Sequence, residues 1–297
     1  MSAPVPASPV LRALAWMAGA ALSLALSAVL IRMAAQRLDP FVVVFFRALF
    51  GLLIITPLMF WPRRISFRSP VPKLLVLRGA TAFLTMATWF HALALLPTAE
   101  AVSLNFTAPL FVTLLAALFL GERIRWRRIA AIIAGMGGIL IILQPGFETV
   151  LPAHFLPLLA ALFMACGGVL VRRLVHDHHP NALIFYTNIA VFPLVTPFAL
   201  MHWSSPSGME WLFLLAIGAT TTLTHQCLAR AYRAAEAGLV AGLSFLRLPT
   251  AALAAWLVFN EWPGGNVWLG AAVIIGANIL LARREASAAR AEALDRI

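Results

Sequence analysis

Val29-Leu30-Ile31-Arg32, with Pro40 behind it, is written a second time as Val169-Leu170-Val171-Arg172 with Pro180 behind it, and Thr56-Pro57 returns as Thr196-Pro197, each at a step of 140 residues. Ala99-Glu100-Ala101 answers Ala235-Glu236-Ala237 at 136 and Gly121-Glu122 answers Asn260-Glu261 at 139, so small insertions separate two copies of one segment. Apolar runs between these landmarks divide each copy into five spans. Five is odd, so the second copy must enter a bilayer upside down relative to the first. Inverted repeats of this kind place a solute site at their interface, near mid-membrane. The expected fold is therefore all-α and integral to the membrane: ten transmembrane helices as two inverted five-helix repeats, residues 1–148 and 149–283, with a cytoplasmic tail at 284–297.

Composition points the same way. With 62% apolar residues, 11% charged residues and a mean hydropathy of +0.92, the 297-residue chain has too little polar surface for a water-facing globule. A net charge of +11 would suggest nucleic acid in a soluble protein. Here the basic residues sit in short loops between apolar runs, and no nucleic-acid partner is expected. Cys166 and Cys227 both fall inside apolar runs and read as packing residues, with neither a disulfide framework nor a zinc site indicated. No metal or cofactor is expected. His176-Asp177-His178-His179 looks like a metal cluster, but no second ligand group stands at a recognisable spacing.

Runs of about 20 apolar residues give ten segments: 12–35, 40–61, 73–96, 98–121, 126–144, 152–174, 181–202, 209–231, 236–259 and 264–282. Breakers such as Pro62, Pro97, Pro145-Gly146, Pro206 and Pro263-Gly264-Gly265 mark the loops. Segment 1 resembles a secretory signal, but its counterpart, segment 6, is internal, and cleavage would leave the first copy incomplete. With the N-terminus inside, Arg63, Arg64, Arg68, Lys73 and Arg78 flank loop 2–3, and Arg123, Arg125, Arg127 and Arg128 fill loop 4–5. On the opposite side only Arg32 and Arg37 appear, in loop 1–2. Both termini are expected to be cytoplasmic, in a bacterial inner membrane.

At this point the chain resembles the drug/metabolite transporter superfamily, specifically its ten-helix branch with two EamA repeats. The motifs that carry the likeness are Leu96-Pro97-Thr98-Ala99-Glu100-Ala101 running into Asn105-Phe106-Thr107-Ala108-Pro109, then Gly121-Glu122-Arg123. The second copy offers Ala235-Glu236-Ala237-Gly238-Leu239-Val240, Leu246-Arg247-Leu248-Pro249 and Asn260-Glu261-Trp262-Pro263. The resemblance implies two packed halves alternating around a central cavity lined by segments 1, 3, 4, 6, 8 and 9. Within the family, the aromatic amino-acid exporter type suggests amino acids as cargo, although fold does not fix substrate.

Polar side chains at helix centres are costly unless they face a cavity or a partner, which selects the candidate solute contacts. Arg247 sits near the middle of segment 9, two residues before Pro249, and no carboxylate lies at comparable depth. Either a substrate carboxylate meets it, or its guanidinium satisfies carbonyls loosened by the proline or snorkels to water. Arg47, nearer the outer end of segment 2, reads as structural. Thr98, Ala101, Asn105 and Pro109 share one face of segment 4, where Asn105 suits either a solute backbone or a neighbouring helix. Segment 8 gathers Thr221, Thr222, His225 and Gln226, and His225 is a candidate for solute binding or proton coupling as well as for an interhelical bond.

Segment 3 lines up Phe83, Met86 and Phe90, with Trp89 adjacent, as a stripe for stacking on a flat solute or for ordinary packing. Ser23 and Ser27 on segment 1 stand one turn apart, marking either a close helix contact or a small polar patch, and Ser244 joins the candidate set from segment 9. Gly238 and Gly242 read as a packing GxxxG. Glu100 and Glu236 open helices, where the macrodipole favours a carboxylate, and proton coupling is the alternative. Glu122 has four arginines nearby, whereas Glu261 has no partner in its own loop.

An intramembrane enzyme would need H-E-x-x-H, G-x-S-x-G, a Walker loop or a mid-membrane acidic pair, and the chain has none. The sole lysine, Lys73, lies at a helix end, which does not suit a retinal-type site. A membrane scaffold would not account for the inverted duplication. The expected protein is a non-enzymatic exporter or facilitator of small amphipathic metabolites, with amino acids favoured and nucleosides or drugs as alternatives. Its expected partners are a small-molecule substrate and the lipid bilayer, and the expected state is a monomer or weak homodimer.

Overall fold

A computed structural model describes residues 9–60, 72–120, 126–144, 151–174, 180–234 and 246–277, together with 243 and 279. Among the described residues there is no strand. The first copy gives α1 (Pro9–Ala34), α2 (Pro40–Phe60), α3 (Pro72–Leu95), α4 (Thr98–Asn105), α5 (Ala108–Leu120) and α6 (Trp126–Leu143). After a 3-10 turn at Pro152–His154, the second gives α7 (Phe155–Leu174), α8 (Pro180–Met201), α9 (Gly208–Ala234), α10 (Arg247–Phe259) and α11 (Gly265–Ala277). Proline opens α1, α2, α3 and α8, where its missing N–H would have no helical acceptor in any case. Thr56 and Thr196, equivalent in the two copies, each stand before an in-helix proline and each bond back to a carbonyl four residues earlier, that of Leu52 or Phe192. The sequence duplication therefore extends to side-chain hydrogen bonds.

Among the described residues the ten expected segments are not alike. Five helices are long and apolar enough to cross a membrane outright, within α1, α2, α7, α8 and α9. The 24-residue α3, which carries Lys73, Arg78 and His91, is not among them. Segment 4 is not continuous: α4 stops at Asn105, and the chain turns through Phe106 and Thr107 before α5 begins. The cause is Pro109, whose nitrogen has no proton to donate to the carbonyl of Asn105. In segment 9 the described helix starts at Arg247, with Pro249 in its first turn, where proline is tolerated. Pro109 and Pro249 are equivalent at the 140-residue offset, as are Thr107 and Arg247, so a helix starts at nearly the same place in both copies. Discontinuous helices inside a membrane are tolerated where they line a cavity or are buried in protein.

Packing follows a pseudo-two-fold. The main contacts join one copy to the other: α1 with α9 and its counterpart α3 with α7, α2 with α9 and its counterpart α3 with α8, and α2 with α8, which is its own counterpart. Individual residues obey the same rule. Gly79 lies so close to Ala190 that a Cβ there would meet it at 2.2 Å, and Gly218 lies as close to Phe50, at 2.6 Å; the two contacts are equivalent at offsets of 139 and 140. Gly138 and Gly270 meet backbone to backbone between α6 and α11. Small residues at these crossings let helices approach without a side-chain barrier, which is how helix pairs associate in lipid. With five crossings per copy, a two-fold relation means opposite insertion, so the chain is an inverted-repeat helical membrane protein.

The end of the bundle expected to face outward is tied by ion pairs and aromatic rings. Arg32, at the end of α1, donates both terminal nitrogens to Glu261, one at 2.6 Å, and lies over the Phe259 ring at 4.5 Å. Glu261 thus finds across the copies the partner that its own loop lacks. Glu100, in the first turn of α4, pairs with His154 Nε2 at 2.9 Å. Trp203 and Trp211 pack on Phe46, and Trp256, Trp262 and Trp268 form a second row, consistent with an interfacial aromatic belt.

Candidate functional site

His225 stands in α9, its Nδ1 2.7 Å from the carbonyl of Thr221, which occupies one ring nitrogen and fixes the ring's direction. The residue is exposed, yet Arg47 of α2, Arg78 of α3 and Arg247 of α10 all act on its imidazole electrostatically. An exposed side chain within electrostatic reach of cations from three other helices suits an opening between helices better than a surface facing lipid. Energetics agree, since an arginine facing hydrocarbon at the bilayer centre costs about 2.5–3.5 kcal/mol, and three would cost roughly three times that.

Each arginine is held by local geometry. Arg47 is nearly fully buried at 7% exposure, and its Nη1 donates to Met86 Sδ at 2.8 Å, a weak acceptor for a guanidinium. Arg78 lies against α7 at Gly167, where a Cβ would stand 3.1 Å from its Nη1 and 3.2 Å from Thr81 Oγ1, and its buried Nε has no hydrogen-bond partner. Arg247 is the first residue of α10. Met86 and His225 are equivalent at the 139-residue offset, and each attends an arginine, as expected of positions near a two-fold axis.

The sequence-predicted residues divide between this opening and the packing around it. His225, Met86 and Arg247 belong to the cluster. Gln226, one residue on from His225, donates to Asn181 Oδ1 at 3.0 Å, and Thr222 is buried with its hydroxyl on the carbonyl of Gly218. Asn105 makes a bond across helices, its Nδ2 donating to the carbonyl of Pro157 in α7 at 3.2 Å. Phe83 stacks on Phe198 of α8 with centroids 5.6 Å apart, Phe90 is buried in the core, and Trp89 packs between the two main apolar clusters. Ser23 bonds back to Gly19, and Ser27 is buried at 1% exposure. Ser244, Gly238, Gly242, Glu122, Glu236 and His176–His179 lie outside the described residues.

Two members of the cluster are not among the sequence-predicted contacts. Arg78, expected to flank a cytoplasmic loop, is about two turns inside α3. Arg47, read as structural from its place near the outer end of segment 2, stands within electrostatic reach of His225. The signal for Arg78 was present: Arg78, Ala82, Met86 and Phe90 step by four, so the stripe noted at Met86 continues down to the arginine.

Residues 11–144 and 151–283 each match the sequence model of the EamA-like transporter family. The chain is 30% identical over 227 residues to an S-adenosylmethionine uptake transporter of Rickettsia felis, covering 76% of this chain and 77% of that one. It is 33% identical over 192 residues to a riboflavin transporter of Vibrio cholerae, 64% of each, and 34% identical over 237 residues to the pseudopaline exporter CntI of Pseudomonas aeruginosa, 79% of this chain and 83% of the relative. A crystal structure at 21% identity superposes with a TM-score of 0.60 over 90% of this chain and 96% of the other, a likeness of fold alone.

Proposed function

We propose that this chain, which belongs to the EamA-like transporter family, exports or equilibrates small amphipathic metabolites by alternating access, with amino acids as the favoured cargo. At the level of the family the protein is a small-molecule transporter in a membrane, not an enzyme. Its relatives differ in direction and cargo, by name an uptake protein for S-adenosylmethionine and an exporter for pseudopaline. The choice of cargo therefore rests on the site.

The observation that carries the reading is the convergence of Arg47, Arg78 and Arg247 on an exposed His225 at the interface of the two copies. Such a place binds a carboxylate, and the apolar side chains of α3 beside it, Trp89 among them, suit the rest of an amphipathic solute. The further contacts would come from Phe83, Met86, Phe90, Asn105, Thr222, Gln226 and Ser244, with Ser23 and Ser27 on α1. The two copies, divided near residue 148, rock against one another about the break in segment 4 and the equivalent place in segment 9. The membrane is a bacterial inner membrane and both termini are cytoplasmic, in keeping with the basic loops.

Uptake of radiolabelled amino acids into vesicles reconstituted with the purified chain tests the proposal. Saturable flux that is lost in Arg247→Leu, with insertion intact, is the expected result. Saturable flux of nucleosides with none of amino acids would replace the cargo, and absence of any saturable flux would remove the amino-acid reading.

A further inference from the structure

We propose that Arg47 and Arg78 form a twin-guanidinium site that selects a cargo with two negative charges, in chemical class a dicarboxylate such as an acidic amino acid. The inference rests on the transporter reading above and narrows it.

The argument is one of charge balance. Four acidic side chains stand among the described residues, and each is engaged at a helix end. Asp39 accepts from the backbone N–H of Phe41 at 2.8 Å, and Glu210 accepts from that of Ser207 at 2.7 Å. Glu100 pairs with His154 and Glu261 with Arg32. Among the described residues none is left for Arg47 or Arg78. Arg47 spends a single hydrogen bond on a thioether, although a guanidinium carries five donors. Arg78 keeps a buried Nε without an acceptor.

A purely structural arginine in a helical bundle saturates its donors on carboxylates or carbonyls. These two do not, and Arg47 reaches Met86, which lies about two turns from Arg78 on the same face of α3, so the two guanidinium groups stand within electrostatic reach of one another. Two like charges held together in a protein interior repel unless an anion arrives between them. A zwitterionic amino acid brings one negative charge and one positive, and its ammonium would stand among cations. A second carboxylate corrects the balance, because each guanidinium then takes one carboxylate through paired N–H···O bonds.

Gly167 is part of the arrangement. Its lack of a side chain leaves the space in which Arg78 Nη1 lies, 3.1 Å from where a Cβ would be, whereas its neighbour Gly168 faces open space. The glycine at 167 therefore fixes where the second charge is presented.

The test is counterflow in vesicles containing the full chain, with matched acid and amide probes: glutamate against glutamine, and succinate against succinamate, with leucine as a monocarboxylate reference. The wild type is expected to move each acid at least tenfold more efficiently than its amide. Arg47→Gln and Arg78→Gln should each raise the KM for the acids tenfold or more, and by a clearly larger factor than for the amides, so that the preference for the acids falls. Arg78→Lys, which keeps the charge but not the paired donors, should retain part of the preference and guards against a variant that merely fails to fold. Saturable transport of glutamine or leucine with no preference for acids would overturn the twin site and leave the transporter reading standing. Unchanged acid KM in both glutamine variants would overturn it equally, and no saturable flux of any probe would remove both the twin site and the amino-acid cargo.

Discussion

The position of one guanidinium depends on one absent methyl group. Gly167→Ala would place a Cβ 3.1 Å from Arg78 Nη1, closer than nearly all real contacts, so the guanidinium must shift by some tenths of an ångström. We predict a loss of acid uptake of several-fold with no loss of folded protein, because alanine raises helix propensity by roughly 0.5–1 kcal/mol. Gly168→Ala enjoys the same propensity gain with nothing within 4 Å, and should leave transport unchanged. Equal flux in the two variants would show that Arg78 is not placed by Gly167. A second residue-scale prediction concerns Arg32 and Glu261. The pair is partly exposed, so Glu261→Gln should destabilise the protein by no more than about 1 kcal/mol. Thermal unfolding in detergent checks this, and the charge-swapped double variant Arg32→Glu, Glu261→Arg should recover most of the loss. The partner of Glu261 was not legible in sequence, because the two residues are 229 positions apart. Arg78 was legible as a continuation of the Met86 stripe, but proximity to a basic loop masked it.

At the scale of elements, two kinds of feature carry the architecture: close helix crossings and interrupted helices. Gly79→Ala and Gly218→Ala each force a Cβ into a neighbouring helix, against Ala190 and Phe50 respectively, so both should lower the unfolding temperature, and by similar amounts. Gly137→Ala, which meets nothing within 4 Å, is the control and should be neutral. A large difference between the first two would contradict their equivalence under the two-fold. The duplication itself was readable because landmark residues such as Thr56-Pro57 and Thr196-Pro197 repeat at a fixed step. The break in segment 4 was not, because hydropathy sees Leu104 through Leu120 as one apolar run. Pro109 was the available clue, and its effect depends on a carbonyl four residues earlier. We predict that Pro109→Ala, by permitting α4 and α5 to fuse, lowers flux while leaving the protein inserted; undiminished flux would mean that the interruption serves no transport step.

The molecule as a whole is two oppositely inserted five-crossing halves that meet across α1–α9, α3–α7 and α2–α8. Their shared interface carries the cations, and this asymmetric decoration of a symmetric scaffold is what would give the carrier a preference. Family members with the same scaffold are named for S-adenosylmethionine, riboflavin and pseudopaline, so cargo must follow from side chains at the interface, not from the fold. The central claim is that His225 looks into water between the halves, and side-specific cysteine labelling tests it most directly. In a background lacking the two native cysteines, Cys166 and Cys227, His225→Cys is exposed to a membrane-impermeant thiol reagent from each side of oriented vesicles. The account predicts labelling by the water-soluble reagent, slowed by a transported solute. Reaction only with a lipid-soluble maleimide, and none with the impermeant reagent from either side, would show a dry or lipid-facing position and contradict it.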